Sequence, residues 1–208
     1  GNTFRTIIER LEVELNYKVI GIDYDDNGNP IVEGNERRFI RNSKNFGVPQ
    51  NRPRTYIIAF NRNRYDAEAL NELPDIPMEN DLHIYHNLHD LLEMNAEPRF
   101  YMSAGYFNTL IRHKKREKEK GNGFGYRIVN APEIENPIAN TIMATGGSGK
   151  ERNLIYDPQD GIAGMEISSK TTPLNEYGVR VMTPREWGKL QGFINYGFMN
   201  KDGEDTFS

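Results

Sequence analysis

Residues 45–60 read NFGVPQNRPRTYIIAF and join two very different textures. Asn45 to Arg54 is polar, cationic and interrupted by Pro49 and Pro53, whereas Thr55 to Phe60 is an almost unbroken apolar run. Such a run predicts a strand buried on both faces, because a strand with one wet face alternates apolar and polar residues instead. Gln50, Arg52 and Arg54 stand at the entrance to that strand. As plain structure they are charges leading into a strand. As chemistry the two guanidiniums are planar forks of donors able to hold oxygen acceptors in fixed geometry.

Working outward, Phe4, Ile7, Ile8, Leu11 and Leu15 recur at helical spacing, so residues 3–15 read as an amphipathic helix. Tyr17 to Tyr24 (YKVIGIDY) reads as a strand, and the following DDNGNP supplies turn chemistry through Asn27-Gly28 and Pro30. Helix, strand, loop, strand is the edge of an α/β sheet rather than a whole one, and the chain is expected to start within a domain. Residues 63–98 are acidic, punctuated by Pro74, Pro77 and Pro98, and read as a connection. From residue 99 to 208 the chain alternates one long helix, Phe107 to Lys120, with short candidate strands at Tyr126–Val129, Thr141–Ala144 and Asn153–Tyr156. This predicts a small mixed α+β domain.

The 208 residues contain no cysteine, which excludes disulfides, thiolate zinc sites and a cysteine nucleophile within the chain. No apolar run approaches the roughly 20 residues that span a bilayer, and the opening GNTFRTIIER is too charged for a secretory signal, so a cytoplasmic protein without a membrane partner is expected. A net charge of −4 argues against a polyanionic partner only on average. Acidic residues gather between Asp66 and Glu97, whereas Arg112 to Lys120 (RHKKREKEK) holds six Lys/Arg against two Glu, so one face can be basic.

That basic helix runs into GNGFGY. The bland reading is a solvated helix with Glu117 and Glu119 paired to lysines. The functional reading makes Lys114, Lys115 and Lys118 phosphate contacts, with Asn122, Phe124 and Tyr126 carried on a glycine-rich backbone into a groove. Three lookalikes fail on their own terms. His83, His86 and His89 repeat every third residue but lack a fourth ligand, so no metal is expected. GGSGKER lacks the first glycine and the Ser/Thr of a phosphate-binding P-loop. GNGFGY has the wrong glycine spacing for a dinucleotide fingerprint.

Two blocks together are more specific than any of these. NFGVPQNRPR at 45–54 resembles motif VIII of the cytosine-C5 DNA methyltransferases, with Gln50, Arg52 and Arg54 as its Q-x-R-x-R core, and RVMTPREWGKLQGF at 180–193 resembles motif IX. The opening NTFRTIIERLEVELNYKV is similar to the helix and strand that follow motif VI, and Thr141-Ile142 in ANTIMATGG is similar to the family's Thr-hydrophobic pair. GNGFGY is similar to a segment of the bacterial subgroup that modifies CCWGG or CCNGG sites. The resemblance covers nearly the whole chain. It implies a partial Rossmann-like methyltransferase sheet segment at the C-terminal edge of the catalytic domain (1–62), a linker (63–98) and a target recognition domain with motif IX (99–208).

By that resemblance the partner is double-stranded DNA, and the parent enzyme transfers a methyl group from S-adenosylmethionine to cytosine C5. A base inside a duplex cannot be reached, so it rotates out and is held. Arg54 would contact the flipped cytosine, Arg52 and Gln50 would support the site, and Thr141 would contact the backbone beside the flipped nucleotide. Thr183, Pro184 and Glu186 read as a capping box with proline at the first helical position, and Arg180 and Arg185 complete a block that organises the recognition domain. The donor-binding, Pro-Cys, Glu-Asn-Val and Gly-Asn-Ser blocks are not in this sequence. The expectation is therefore an N-terminal catalytic segment of the same protein as partner, no cofactor held by this piece and no activity from it alone. Against this stands a second class of reading, a non-catalytic DNA-binding or interaction module on the same scaffold.

Overall fold

A computed structural model describes residues 2–81, 84–143, 150–193 and 201–202. The chain divides into two compact units, residues 1–46 with 53–82, and residues 47–52 with 83–208.

In the first unit the expected amphipathic helix forms over Asn2–Glu9 and continues as a π-helical turn through Arg10–Glu14, closed by the Leu15 N–H donating to the Arg10 carbonyl at 2.9 Å. The wider turn rotates the stripe. Phe4, Ile8 and Leu11 pack on Val19, Ile22, Val32 and Phe39, while Val13 and Leu15 stay exposed. Glu12 is buried in their place, and its carboxylate accepts from the Val19 N–H at 2.5 Å, the Tyr24 hydroxyl at 2.7 Å and the Arg62 guanidinium. Burial, reinforced by that bond to Glu12, raises the Tyr24 phenol above its usual range.

The run Tyr17–Tyr24 is two strands rather than one. Tyr17–Val19 pairs antiparallel with Ala59–Asn61, the chain turns at Gly21, and Asp23–Tyr24 forms a hairpin with Pro30–Ile31. The Asn27-Gly28 turn forms as its residues predict, because the Asp25 carboxylate collects the N–H groups of Asn27 and Asn29 at 2.9 and 2.8 Å.

The doubly buried strand expected at Thr55–Phe60 does not form. Pro53–Thr55 pairs with Ile40–Asn42, Ala59–Asn61 pairs with Tyr17–Val19, and the residues between are in neither strand. Tyr56 and Ile58 are 52% and 43% exposed. Burial on both faces needs neighbours on both sides, and every sheet among the described residues has two strands. Part of the acidic stretch is tied to this unit: buried Arg41 donates to the carbonyls of Ile76 and Pro77, and Arg38 bridges Asp23 and Asp75.

The second unit is built from short pieces around one main cluster, Leu88, Leu91, Val129, Ala139, Ile155, Met182 and Leu190. Its long helix spans Ala104–Glu119, starting three residues before the expected Phe107 because Ser103 caps it and accepts from the Tyr106 N–H. Within the stretch read as a connection, LHDLLEM (88–94) has the composition of a short helix but forms a 3₁₀ turn, Leu88–Leu91.

Strands of two residues cannot satisfy their own backbone, and buried asparagine amides complete the ladders. Asn130 exchanges two hydrogen bonds with the backbone of Tyr156 at 2.9 and 2.8 Å. Asn175 donates to the carbonyls of Met102 and Val179 and accepts from the Val179 N–H. Among the described residues no helix is long and apolar enough to cross a membrane.

Candidate nucleic-acid interface

Gln50–Asn51 belongs to the second unit, where it pairs in parallel with Ala139–Asn140. The Ala139 N–H donates to the Pro49 carbonyl at 2.9 Å, Ala139 and Val48 pack in the main cluster, and Gln50 is buried. Thr141 follows directly, and its hydroxyl donates to the Asn51 carbonyl at 2.6 Å. Two stretches far apart in sequence, one chosen for its glutamine and arginines and the other for its threonine, thus meet along one short parallel ladder.

The far side of that ladder is clamped. The Asn140 N–H donates to the Asn153 side-chain oxygen at 2.7 Å, the Asn140 amide donates to the Arg152 carbonyl at 2.7 Å, and the Asn153 amide donates back to the Asn140 carbonyl at 3.2 Å. The strand expected at Thr141–Ala144 does not form over its described residues: the strand is Ala139–Asn140, Thr141 to Met143 lie in none, and Ala144 lies outside the described residues. Lys150–Asn153 forms a 3₁₀ turn, and the remainder of the GGSGKER stretch also lies outside them.

The two arginines of the Q-x-R-x-R core fall in different units. Arg52 closes the segment 47–52 of the second unit, partly buried. Arg54 lies in the first unit, exposed, opposite Arg41 in the antiparallel ladder, with its own guanidinium donating to the Pro53 carbonyl at 2.7 Å.

The basic helix end is exposed at Lys114, Lys115 and Lys118, and the loop after it is more ordered in its contacts than its glycines suggest. Asn122 caps the helix end: its amide donates to the Glu117 carboxylate at 2.9 Å and its N–H to the Glu117 carbonyl. The Asn122 and Lys120 hydrogen bonds hold the Glu117 carboxyl below its ordinary value. Tyr126 stacks edgewise on Phe107 at 5.3 Å, and the Lys114 ammonium sits 4.5 Å from the Tyr126 ring centre. A side chain at Gly125 would meet Lys114 Cγ at 2.8 Å, so this glycine permits an internal contact. Phe124 is left 59% exposed at the tip.

The 180–193 block makes a buried ionic network. The Arg180 guanidinium, 0% exposed, donates to both Glu186 oxygens at 2.8 Å and to the Asp157 carboxylate at 2.6 Å. Burial works against its charge, but Glu186 and Asp157 outweigh burial and hold the guanidinium protonated even more firmly than free arginine. Glu186 also accepts from the Thr183 and Glu93 N–H groups, completing the capping box that opens the helix Pro184–Leu190. Thr183 Oγ1 donates to the Glu93 carboxylate at 2.5 Å, and Arg185 reaches the other Glu93 oxygen at 3.7 Å. The Tyr101 hydroxyl donates to the Asp157 backbone carbonyl at 2.8 Å and lies 3.1 Å from Oδ2, the carboxylate oxygen that Arg180 also meets.

Sequence reasoning missed Asn140, Asn153, Asn175, Tyr106 and Glu151. The only trace of the asparagines was a neighbouring short apolar stretch, as in Asn153-Leu154-Ile155, and Tyr106 and Glu151 carried no such signal. His86 and His89 are described and His83 is not. Among the described residues no three His, Cys, Asp or Glu side chains are grouped to hold a metal ion.

The family model for the C-5 cytosine-specific DNA methylase matches residues 1–205. The type II methyltransferase M.HpaII of Haemophilus parainfluenzae is 37% identical over 196 residues, covering 93% of this chain and 46% of that protein. The DNA-cytosine methyltransferase of Escherichia coli K12 is 30% identical over 201 residues, covering 93% of this chain and 38% of its own length. The type II methyltransferase M1.ScrFI of Lactococcus lactis is 28% identical over 193 residues, again over 93% of this chain and 39% of its own. The chain therefore spans less than half the length of these curated relatives. With both signature blocks present and the match running across almost all of its residues, the chain belongs to the C-5 cytosine-specific DNA methylase family.

Proposed function

We propose that this chain is the DNA-recognition part of a bacterial cytosine-C5 methyltransferase, with motif VIII at 45–54, motif IX at 180–193 and a target recognition domain between and around them. Residues 1–62 then form the C-terminal edge of the Rossmann-like catalytic domain, and 99–208 read the duplex. Its relatives are named as type II methyltransferases, which suits a role in a restriction-modification system of the bacterial cytoplasm. The observation that carries the reading is the parallel pairing of Gln50–Asn51 with Ala139–Asn140, with Thr141 bonded to Asn51. That pairing joins the motif that serves the flipped base to the strand that meets the DNA backbone.

In this reading Arg54 contacts the extruded cytosine, Arg52 and Gln50 support it, and Lys114, Lys115, Lys118, Asn122, Phe124 and Tyr126 face the duplex. The GNGFGY segment favours a CCWGG or CCNGG site. S-adenosylmethionine supplies the methyl group and is held by residues outside these 208. The open polar hollow of the first unit, lined by Glu12, Lys18, Tyr24 and Arg62, does not fit a nucleoside, since Glu12 and Arg62 are already bonded to each other. The 208 residues also lack a cysteine to serve as nucleophile, so the chain alone is inactive.

The test is methyl transfer. This chain joined to its natural upstream segment, given duplex DNA and labelled S-adenosylmethionine, is expected to place the label on cytosine C5. Arg54→Ala should lower the rate on the order of 100-fold, as for loss of one preorganised donor in a reacting site. An upstream segment without a Pro-Cys dipeptide, or unlabelled DNA, would sink the reading and leave the DNA-binding module in its place.

A further inference from the structure

The second unit carries two exposed guanidiniums that the family blocks do not include, Arg127 and Arg152. They lie 25 positions apart in sequence, yet their backbones adjoin: the Arg127 N–H donates to the Glu151 carbonyl at 2.7 Å, and the Leu154 N–H donates to the Arg127 carbonyl at 2.9 Å. Ile128 and Leu154 form a parallel bridge immediately beyond. The Arg152 carbonyl is in turn the acceptor for the Asn140 amide, one residue before Thr141. Both side chains are therefore mounted on backbone that is fixed at several points, next to the strand Ala139–Asn140 that leads into Thr141.

Neither guanidinium has an ion pair or a side-chain hydrogen bond among the described residues, in contrast to Arg99, Arg180 and Arg185. The obvious neutralising group is Glu151, next to Arg152 in sequence and bonded through its carbonyl to Arg127. Its carboxylate is taken elsewhere, accepting from the Tyr106 hydroxyl at 2.6 Å. Tyr106 lies on the long helix, in its first turn, so the Glu151 carboxylate is bonded to the helix.

The geometry points to Arg127 and Arg152 as a pair of DNA-phosphate contacts beside Thr141, left unneutralised because Tyr106 holds Glu151. This rests on the reading of the chain as a duplex-DNA binder and adds residues to it. Two exposed guanidiniums on hydrogen-bonded backbone, without a side-chain partner among the described residues, match the charge and planar geometry of backbone phosphates, whereas Lys115 and Lys118 are point charges on a solvated helix. Tyr106 and Glu151 touch no DNA in this scheme and are positioning residues.

The experiment measures duplex binding by the full 208-residue chain as a function of salt. Each phosphate contact adds about 0.9 to the slope of log affinity against log salt, so Arg127→Gln with Arg152→Gln should flatten the slope by about 2. Both side chains are exposed, so the melting midpoint should stay in place. Tyr106→Phe should weaken binding by freeing Glu151 toward the arginines, and adding Glu151→Gln to that variant should restore it, a rescue that a merely structural role for Tyr106 does not give. An unchanged slope in the double arginine variant, with the unsubstituted chain still binding, overturns the pair and leaves the DNA reading standing. Absence of rescue overturns the positioning role. No duplex binding by the unsubstituted chain at low salt overturns the DNA reading itself and the pair with it.

Discussion

Thr141 donates its hydroxyl hydrogen to the carbonyl oxygen of Asn51 at 2.6 Å, across 90 positions of sequence. That bond extends the parallel ladder begun by Gln50 and Ala139, and it ties the segment carrying Gln50 and Arg52 to the strand Ala139–Asn140. Thr141→Val keeps the shape of the side chain and removes the donor. The expected loss is about 1 kcal/mol, the usual net worth of one such bond, read as a lower urea midpoint with an unchanged slope. Thr141→Ser should recover most of it. Equal stability of the valine variant would mean that the ladder holds without the hydroxyl.

Arg180 stands at the centre of the second unit's buried charge, with two carboxylates and no water-facing surface. Replacing it with Met fits the volume but leaves Glu186 and Asp157 facing each other without their cation. The expected cost is about 3–5 kcal/mol, as for breaking a buried pair from one side. Arg180→Lys should also be costly, because a point charge cannot supply the fork that meets both Glu186 oxygens. Denaturant unfolding of the two variants checks both statements.

Gly178 sits at φ +63°, and a Cβ there would come within 2.5 Å of Pro158 Cα and 2.7 Å of Pro158 N. The obstacle is backbone and cannot swing aside. Gly178→Ala should therefore cost more than the roughly 1–2 kcal/mol of a left-handed residue alone. Thermal unfolding reads this, with Gly164→Ala as a comparison: that glycine is also at positive φ (+72°) but has open space around it.

The Tyr106 phenol is pushed up from 10.0 to about 12, first by its hydrogen bond to Glu151 and then by burial. A pKa raised in the folded state means that the unfolded chain gives up this proton at lower pH. The contribution is thus complete below about pH 10 and is lost as pH rises toward about 12. Tyr24 and Tyr101 are raised too, so ultraviolet titration should count one late-ionising tyrosine fewer in Tyr106→Phe than in the unsubstituted chain. The same variant should also lose stability less steeply over this pH window than the unsubstituted chain.

Much of the local structure was readable in the residues themselves. The Thr183–Glu186 capping box and the Asn27-Gly28 turn held by Asp25 depend on partners within four positions, and the body of the long helix was legible although its start behind Ser103 was not. A capping or turn preference acts over that range, so the pattern of residues alone decides it. The two blocks that resemble the family's motifs are contiguous runs and were legible for the same reason, and the match across residues 1–205 shows the family itself. The 55–60 run misled because hydrophobicity records what a strand could bury, not how many neighbours it has. Tyr56 and Ile58 are exposed because the ladder breaks between two separate partners.

The amino-acid order determined the caps, the turns, the placement of charge at Arg112–Lys120 and the family, since all of these are carried by neighbouring residues. Only the tertiary structure decided that Gln50 and Arg52 join the second unit while Arg54 stays in the first, and that Asn140, Asn153 and Asn175 serve as strand partners. It likewise decided that Glu151 turns to Tyr106 rather than to an arginine. The physical reason is that a polar side chain such as an asparagine amide can bond many partners equally well. Which one it meets is set by packing between segments distant in sequence, and no local preference encodes that choice.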